Sequence, residues 1–247
     1  MKRKILFLTA IAGMLCTSCM SFALNMIGAY DRESSVSYYS NADKTVAYIP
    51  MKHIGPKEFY ANVKSKVDSL QREGYIVFME SVRVTDSLTP QQKDTLKWKI
   101  RKLTGVTLSQ SGYIDTINGR LMGRKFKNRK GLINQPRYYI MGVDTLTGRV
   151  VDVPMNKLIK AYEKEYGTII LNDCDYVLAL DKKYECGKLS SKQANAMILD
   201  YRNKHLAEAI AAEPAKKIAV MYGALHENGL FKELKTIDST WVPKIKI

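Results

Sequence analysis

Apolar residues recur along this chain with two periods, and the switches between them lay out its elements. Thr45 to Met51 is a short β-rich apolar run. After Gly55-Pro56, the residues Phe59, Val63, Val67 and Leu70 fall on one face of a helix, with lysines, Asp68 and Arg72 on the other. Gly74 supplies its stop. Tyr75 to Met79 is continuously apolar, which predicts a strand buried on both faces. Strand, helix and strand within about 35 residues make a βαβ unit with parallel strands and a right-handed crossover.

Thr89-Pro90 opens a helix with Leu96, Ile100 and Leu103 as its apolar line. Residues 105–150 break into short apolar pieces between Gly, Asn and Thr, which predicts hairpins or a subdomain. Pro154 starts a helix through Leu158, Ile159 and Tyr162, ended by Gly167. Thr168 to Leu171 reads as a strand. Ser190 or Ser191 caps a long helix that turns Ala194, Met197, Ile198, Tyr201 and Ile210 inward and ends before Pro214. Lys217 to Tyr222 is a final buried strand, Gly223 to His226 turns out of it, and Asn228 opens a short helix through Leu234. Trp241 to Ile247 reads as an edge strand. The expectation is an α/β fold: a mixed, mostly parallel sheet flanked by helices, with a less regular central insertion.

The N-terminus changes the picture of where this domain works. Met1-Lys2-Arg3-Lys4 precedes an apolar run from Ile5 to Leu15, the length of a signal-peptide core and short for a membrane span. Leu15-Cys16-Thr17-Ser18-Cys19 follows, and small residues before a cysteine resemble a lipobox. Cys19 fits as the lipidated residue; Cys16, behind Met14 and Leu15, fits poorly. An ordinary secretory signal is the plainer alternative. The expected organisation is a lipoprotein signal over 1–18, a lipid-anchored tether over 19–44 with a serine cluster at its end, and one domain over 45–247. The stretch from Met20 to Leu24 holds no aspartate, the residue that retains lipoproteins at the inner membrane, so the expected place is the outer membrane, facing the periplasm.

The formal charge is +15. In an exported lipoprotein that charge points to anionic lipid headgroups, lipopolysaccharide or acidic polymers rather than nucleic acid, with plain solubility as the bland account. Arg120, Arg124, Lys125, Lys127, Arg129 and Lys130 form a solvated loop or a patch for an anionic ligand. Cys174 and Cys186 remain in the domain, at a spacing compatible with a disulfide or with two free thiols.

Three positions could carry chemistry. His53 follows the first strand, Glu80 the second and His226 the last. If those strands are parallel, all three residues share the sheet edge where open α/β sheets place their sites. Two imidazoles and a carboxylate there would make a divalent-metal triad for Mn, Co or Zn, and such a metal would activate water. Solvated loop residues are the alternative.

The C-terminal third bears on that choice. Arg202-Asn203 opens a helix with Ala209 further along; a buried strand follows, then Gly223-Ala224-Leu225-His226, Gly229-Leu230 and Leu234. This order resembles the TraB/GumN family, whose relatives include the Tiki metalloproteases. Pro50-Met51-Lys52-His53, Glu80 and Val151-Asp152-Val153 resemble its earlier motifs, so the likeness spans about residues 45–235. The resemblance implies an EreA/ChaN-like core and a metal-dependent peptidase or other hydrolase. In it, His53, Glu80 and His226 would be metal ligands, Glu80 alternatively the general base, and Arg202 a catalytic group that pairs a carboxylate or stabilises an oxyanion; a buried ion pair is the structural alternative. Asn203 would hydrogen-bond a site loop. Pro50 stands where the family carries glycine, and Lys52 adds positive charge beside His53. Lys52 disfavours a cation there, and Pro50 favours a scaffold that keeps the fold without the chemistry. The wider superfamily implies a further alternative, a non-covalent haem-binding lipoprotein, for which His and Tyr are suitable axial ligands. The partners implied are a membrane reached through the lipid anchor and a peptide or anionic envelope ligand.

Overall fold

A computed structural model describes residues 20–85, 87–106 and 112–244. The signal over 1–18, Cys19 and the end of the C-terminal strand, 245–247, lie outside the described residues.

Eleven strands are present among them. Six make the main sheet: β1 (Ser37–Ser40), β2 (Thr45–Met51), β4 (Ile76–Met79), β9 (Gly148–Val150), β10 (Lys217–Gly223) and β11 (Val242–Lys244), in the order β11-β1-β2-β10-β4-β9. The inner four, β2-β10-β4-β9, are parallel; β1 and β11 are antiparallel additions at one side. The expected mixed, mostly parallel sheet is what forms.

Alternate residues of the parallel strands feed two cores, as a strand's period of two requires. Ala47, Ile49, Met51, Val77, Met79, Ala219 and Met221 pack against Phe59, Val63, Val67 and Leu70 of α1 (Lys57–Arg72). Val46, Tyr48, Phe78, Ile218, Val220 and Tyr222 face the other way, onto Leu206, Ala207 and Ile210 of α6 (Arg202–Ala212) and Leu230 and Leu234 of α7 (Glu227–Ile237). Continuous apolar strands are thus covered on both faces, the arrangement that parallel sheets need.

A third core joins α2 (Pro90–Thr104), α3 (Met155–Tyr166) and α5 (Ser191–Asn195) through Ile100, Leu103, Leu158, Ile159, Tyr162 and Ala194. Thr89 closes a capping box with Gln92 at the start of α2. The insertion contains β5 (Ile114–Asp115), β6 (Arg120–Leu121) and β7 (Arg124–Lys125) as one small sheet, while β8 (Ile133–Asn134) pairs with β3 (Ile54–Gly55) just after His53. A short helix, α4 (Asp173–Val177), carries Cys174, which is disulfide-bonded to Cys186 with the Cα atoms 5.6 Å apart.

Three sequence expectations are corrected. Thr168 to Leu171 is not a strand: Ile169 is buried in the third core, Ile170 is exposed, and no strand pairs with the segment. Ile169 alone of its β-branched residues is packed, and the segment makes no ladder. The long helix after Ser190 is interrupted by a π-helical turn, Ala196–Tyr201, which rotates Tyr201 out to solvent. The segment expected to be a tether is folded: residues 20–26 are helical, and Leu24 and Ala29 are buried with Ile114, Leu121 and Leu132 of the insertion.

Candidate functional site

Four parallel strands end at one edge of the sheet, and each delivers a polar residue within three positions of its end. These are His53 after β2, Glu80 after β4, Asp152 after β9 and His226 after β10. Register puts them side by side, because Met221 pairs with both Ile49 and Met79, and Met79 pairs with Val150. The π-helical turn ahead of α6 then aims Arg202 at this edge.

Arg202 is the centre of the site. Its Nε donates to Asp152 Oδ1 (2.9 Å) and its Nη2 to Asp152 Oδ2 (2.8 Å) and Glu80 Oε1 (2.6 Å). Its Nη1 donates to the Ile198 carbonyl (3.1 Å) and meets His226 Nε2 at 3.2 Å. A guanidinium has five N–H groups and no acceptor. All five are used here by groups of the protein itself, so no donor of Arg202 is left for a bound molecule. Arg202 is thus paired with two carboxylates, and no N–H is left free for an oxyanion in this arrangement.

The carboxylates are satisfied as fully. Glu80 Oε2 accepts from the Gly223 amide (2.7 Å), and Asp152 also accepts from the amides of Ser81 (2.9 Å) and Val153 (2.7 Å). Burial pushes the Glu80 carboxyl up, but the Arg202 guanidinium, helped by the Gly223 amide, holds it below its usual range. Burial lowers Arg202 less than Asp152 and Glu80 raise it, so it stays charged.

His226 is 3 % exposed. Burial, then the Arg202 charge, push its imidazole down to about 4, against the opposing pull of Glu80 and Asp152. Because Arg202 can only donate, Nε2 of His226 is the acceptor and Nδ1 carries the proton, which goes to Asn203 Oδ1 at 2.7 Å. Asn203 therefore hydrogen-bonds the turn after β10 through His226. Gly229 makes room for it: a Cβ there would lie 2.1 Å from Asn203 Nδ2.

Above this network lies a cleft of ≈ 530 Å³. Its floor is Glu80 and Arg202, and its sides include Ile100, Met155 and Ile198. The insertion supplies the rest. The Gln135 amide donates to the His53 carbonyl (2.8 Å), Tyr138 donates to the Glu80 carbonyl (2.6 Å), and the Tyr113 ring stacks on the exposed His53 imidazole at 4.8 Å. Tyr113 and Tyr138 carry no signal in the sequence, because only the fold-back of an irregular segment brings them to the strand edge. Asp152 was visible as part of a motif but not as the main partner of Arg202.

The three candidate ligands share the edge but not one coordination sphere. Glu80 Oε1 and His226 Nε2 are 3.8 Å apart, and both face the guanidinium. Among the described residues no three His, Cys, Asp or Glu side chains are arranged to hold a metal ion. A divalent cation at Glu80 and His226 would meet the fixed charge of Arg202, so the residues as arranged do not fit one. Lys52 is turned away from this edge, onto the Gly28 carbonyl and Asp31 (3.3 Å). Pro50 fits its strand without cost. Its carbonyl accepts from Ser34 Oγ on the β1 side, so its missing N–H lies away from the ladder with β10.

Compared with known proteins, the chain matches no family model, no curated protein and no solved structure.

Proposed function

We propose that this chain is an exported, lipid-anchored protein of TraB/GumN-like type whose cleft binds a ligand without a resident divalent metal. One observation carries the reading: every N–H of Arg202 is spent on Asp152, Glu80, His226 and Ile198. A guanidinium so committed is the rigid floor of a binding site, not a group waiting for a reaction. The walls join apolar Ile100, Met155 and Ile198 to polar His53, Asn134 and Gln135, a mixture suited to a largely apolar ligand with a polar edge. A peptide segment and haem both have that character. For haem, His53 would be the axial ligand, since burial and the Glu80 charge push the Tyr113 phenol up and disfavour its phenolate. The test is titration of the purified protein with haem and with a peptide library, beside His53→Ala. A Soret band or a saturable peptide signal lost in that variant supports the reading; a flat response to both sinks it.

The second reading is a metal-dependent hydrolase. The convergence of His53, Glu80 and His226 on one strand edge favours it, and it needs Arg202 to leave its present place. Loading with Mn, Co or Zn followed by metal analysis decides. One metal per chain, lost in both His53→Ala and His226→Ala, would put this reading first.

A further inference from the structure

Residues 20–26 are helical, and large apolar side chains stand on the exposed side of this helix, beside Ser21 and Asn25, as well as on the buried one. Met20 and Leu24 pack on the insertion, where Leu24 is buried. Phe22 and Met26 have the same spacing but are offset by two residues, which turns them to the opposite side. Phe22 is 66 % exposed, Met26 73 % and Ile27 72 %. A helix face turned to water carries polar side chains; between Met20 and Tyr30 this chain has no charged residue at all.

The small sheet beneath that helix has the opposite character. Residues 116–143 include seven Lys and Arg and no Asp or Glu. Arg124, Lys125, Lys127, Arg129 and Lys130 are exposed. Lys130 Nζ sits 4.1 Å over the Tyr30 ring, and Leu121 is buried against Leu24, so the basic hairpin and the apolar helix are one packed unit.

We propose that helix 20–26 and the β6–β7 hairpin form a membrane-lying face, with Phe22, Met26 and Ile27 in the headgroup boundary and the basic side chains on anionic phospholipid headgroups. The proposal rests on the lipid-anchor reading, because Met20 directly follows Cys19 and acyl chains there would enter the bilayer beside the helix. Buried apolar area plus attraction to anionic lipid is the combination that holds a helix in an interface. The basic hairpin selects a lipid leaflet over a second copy of this equally basic chain. Since the insertion also supplies Tyr113 and Asn134 to the cleft, the domain would be held at a set orientation rather than swinging on a leash.

The test uses the lipidated protein in vesicles of phosphatidylcholine alone or with phosphatidylglycerol, read by amide hydrogen exchange. Expected is slowed exchange in 20–30 and 116–131 on the anionic vesicles only. Each charge removed by Arg124→Ala or Lys125→Ala should cut that protection about fivefold. Phe22→Asp with Met26→Asp should abolish it while the protein still floats with the vesicles. Equal exchange on both vesicle types, in protein that floats, overturns the face and leaves the anchor standing. Equal protection in detergent together with a dimer mass overturns it in favour of self-association. If the N-terminal mass shows no lipid, the anchor reading falls; binding to added anionic vesicles then still supports the face, and no binding overturns it.

Discussion

Nδ1 of His226 lies 2.7 Å from Oδ1 of Asn203, and that one bond sets which nitrogen of a buried imidazole carries the proton. Its other nitrogen faces Arg202, so the ring is held neutral between an acceptor and a cation. This explains why a histidine within reach of two carboxylates resists protonation.

The pH dependence of stability follows. His226 titrates at about 4 in the folded protein, against an ordinary 6.5. Between those values the unfolded chain binds the extra proton and the folded chain does not, so acid favours unfolding. Stability from this group is complete above about pH 6.5 and falls as the pH drops, by on the order of 3 kcal/mol, until the folded ring protonates near pH 4. Glu80, held below its usual range, adds a further loss at lower pH. Urea unfolding across this window should show the slope, and His226→Gln should flatten its upper part.

Breaking the ion pair at its bidentate side should be costly. Asp152→Asn leaves Arg202 buried beside a single carboxylate and should destabilise by about 3–5 kcal/mol. Arg202→Met should cost as much, because it strands Glu80 and Asp152 together. In the double variant Asp152→Asn, Arg202→Met the losses should not add, since each single change already removes the same bond. Thermal melts of all three decide; additive losses would show that the two residues act separately.

Much of the fold was legible because it rests on burial patterns. The faces of α1 and α3 and the buried runs of β2, β4 and β10 each stand in a few residues of local sequence. Thr168 to Leu171 misled because β-branched residues suit a packed loop as well as a strand. The site was half legible. His53, Glu80 and His226 stand out from their places after strands, and Arg202 only through the family resemblance. What local sequence could not reveal was that Arg202 fills the space among them, since that depends on a π-helical turn and on Asp152, fifty residues away. Tyr113 and Tyr138 depend on how the insertion folds back.

Gly229→Ala should act through Asn203. The added methyl would meet its amide, and relieving that clash should cost about 1–3 kcal/mol. The diagnostic readout is the His226 Nδ1 proton in NMR spectra, which should broaden or vanish as its acceptor moves. An unchanged resonance would mean that Asn203 does not fix the tautomer.

Reducing the bond between Cys174 and Cys186 should lower stability by about 3 kcal/mol, the cost expected for freeing a loop of this length. The same loop offers the Leu178 and Lys182 carbonyls to buried Arg101 on α2, so the helix should loosen as well. Calorimetry with and without dithiothreitol, beside Cys174→Ser with Cys186→Ser, checks both; equal melting curves would assign the bond no stabilising role.

The strand order has a consequence for the order in which the sheet can form. β10 is threaded between β2 and β4, and Lys217 aligns with Thr45 across more than two-thirds of the chain. Until β10 arrives, β2 and β4 have no common neighbour, and the polypeptide has no central sheet to close. Such distant pairing folds late and slowly. A chain of this design cannot complete its central sheet until β10 has been made, so its two main cores close together at the end rather than one after the other.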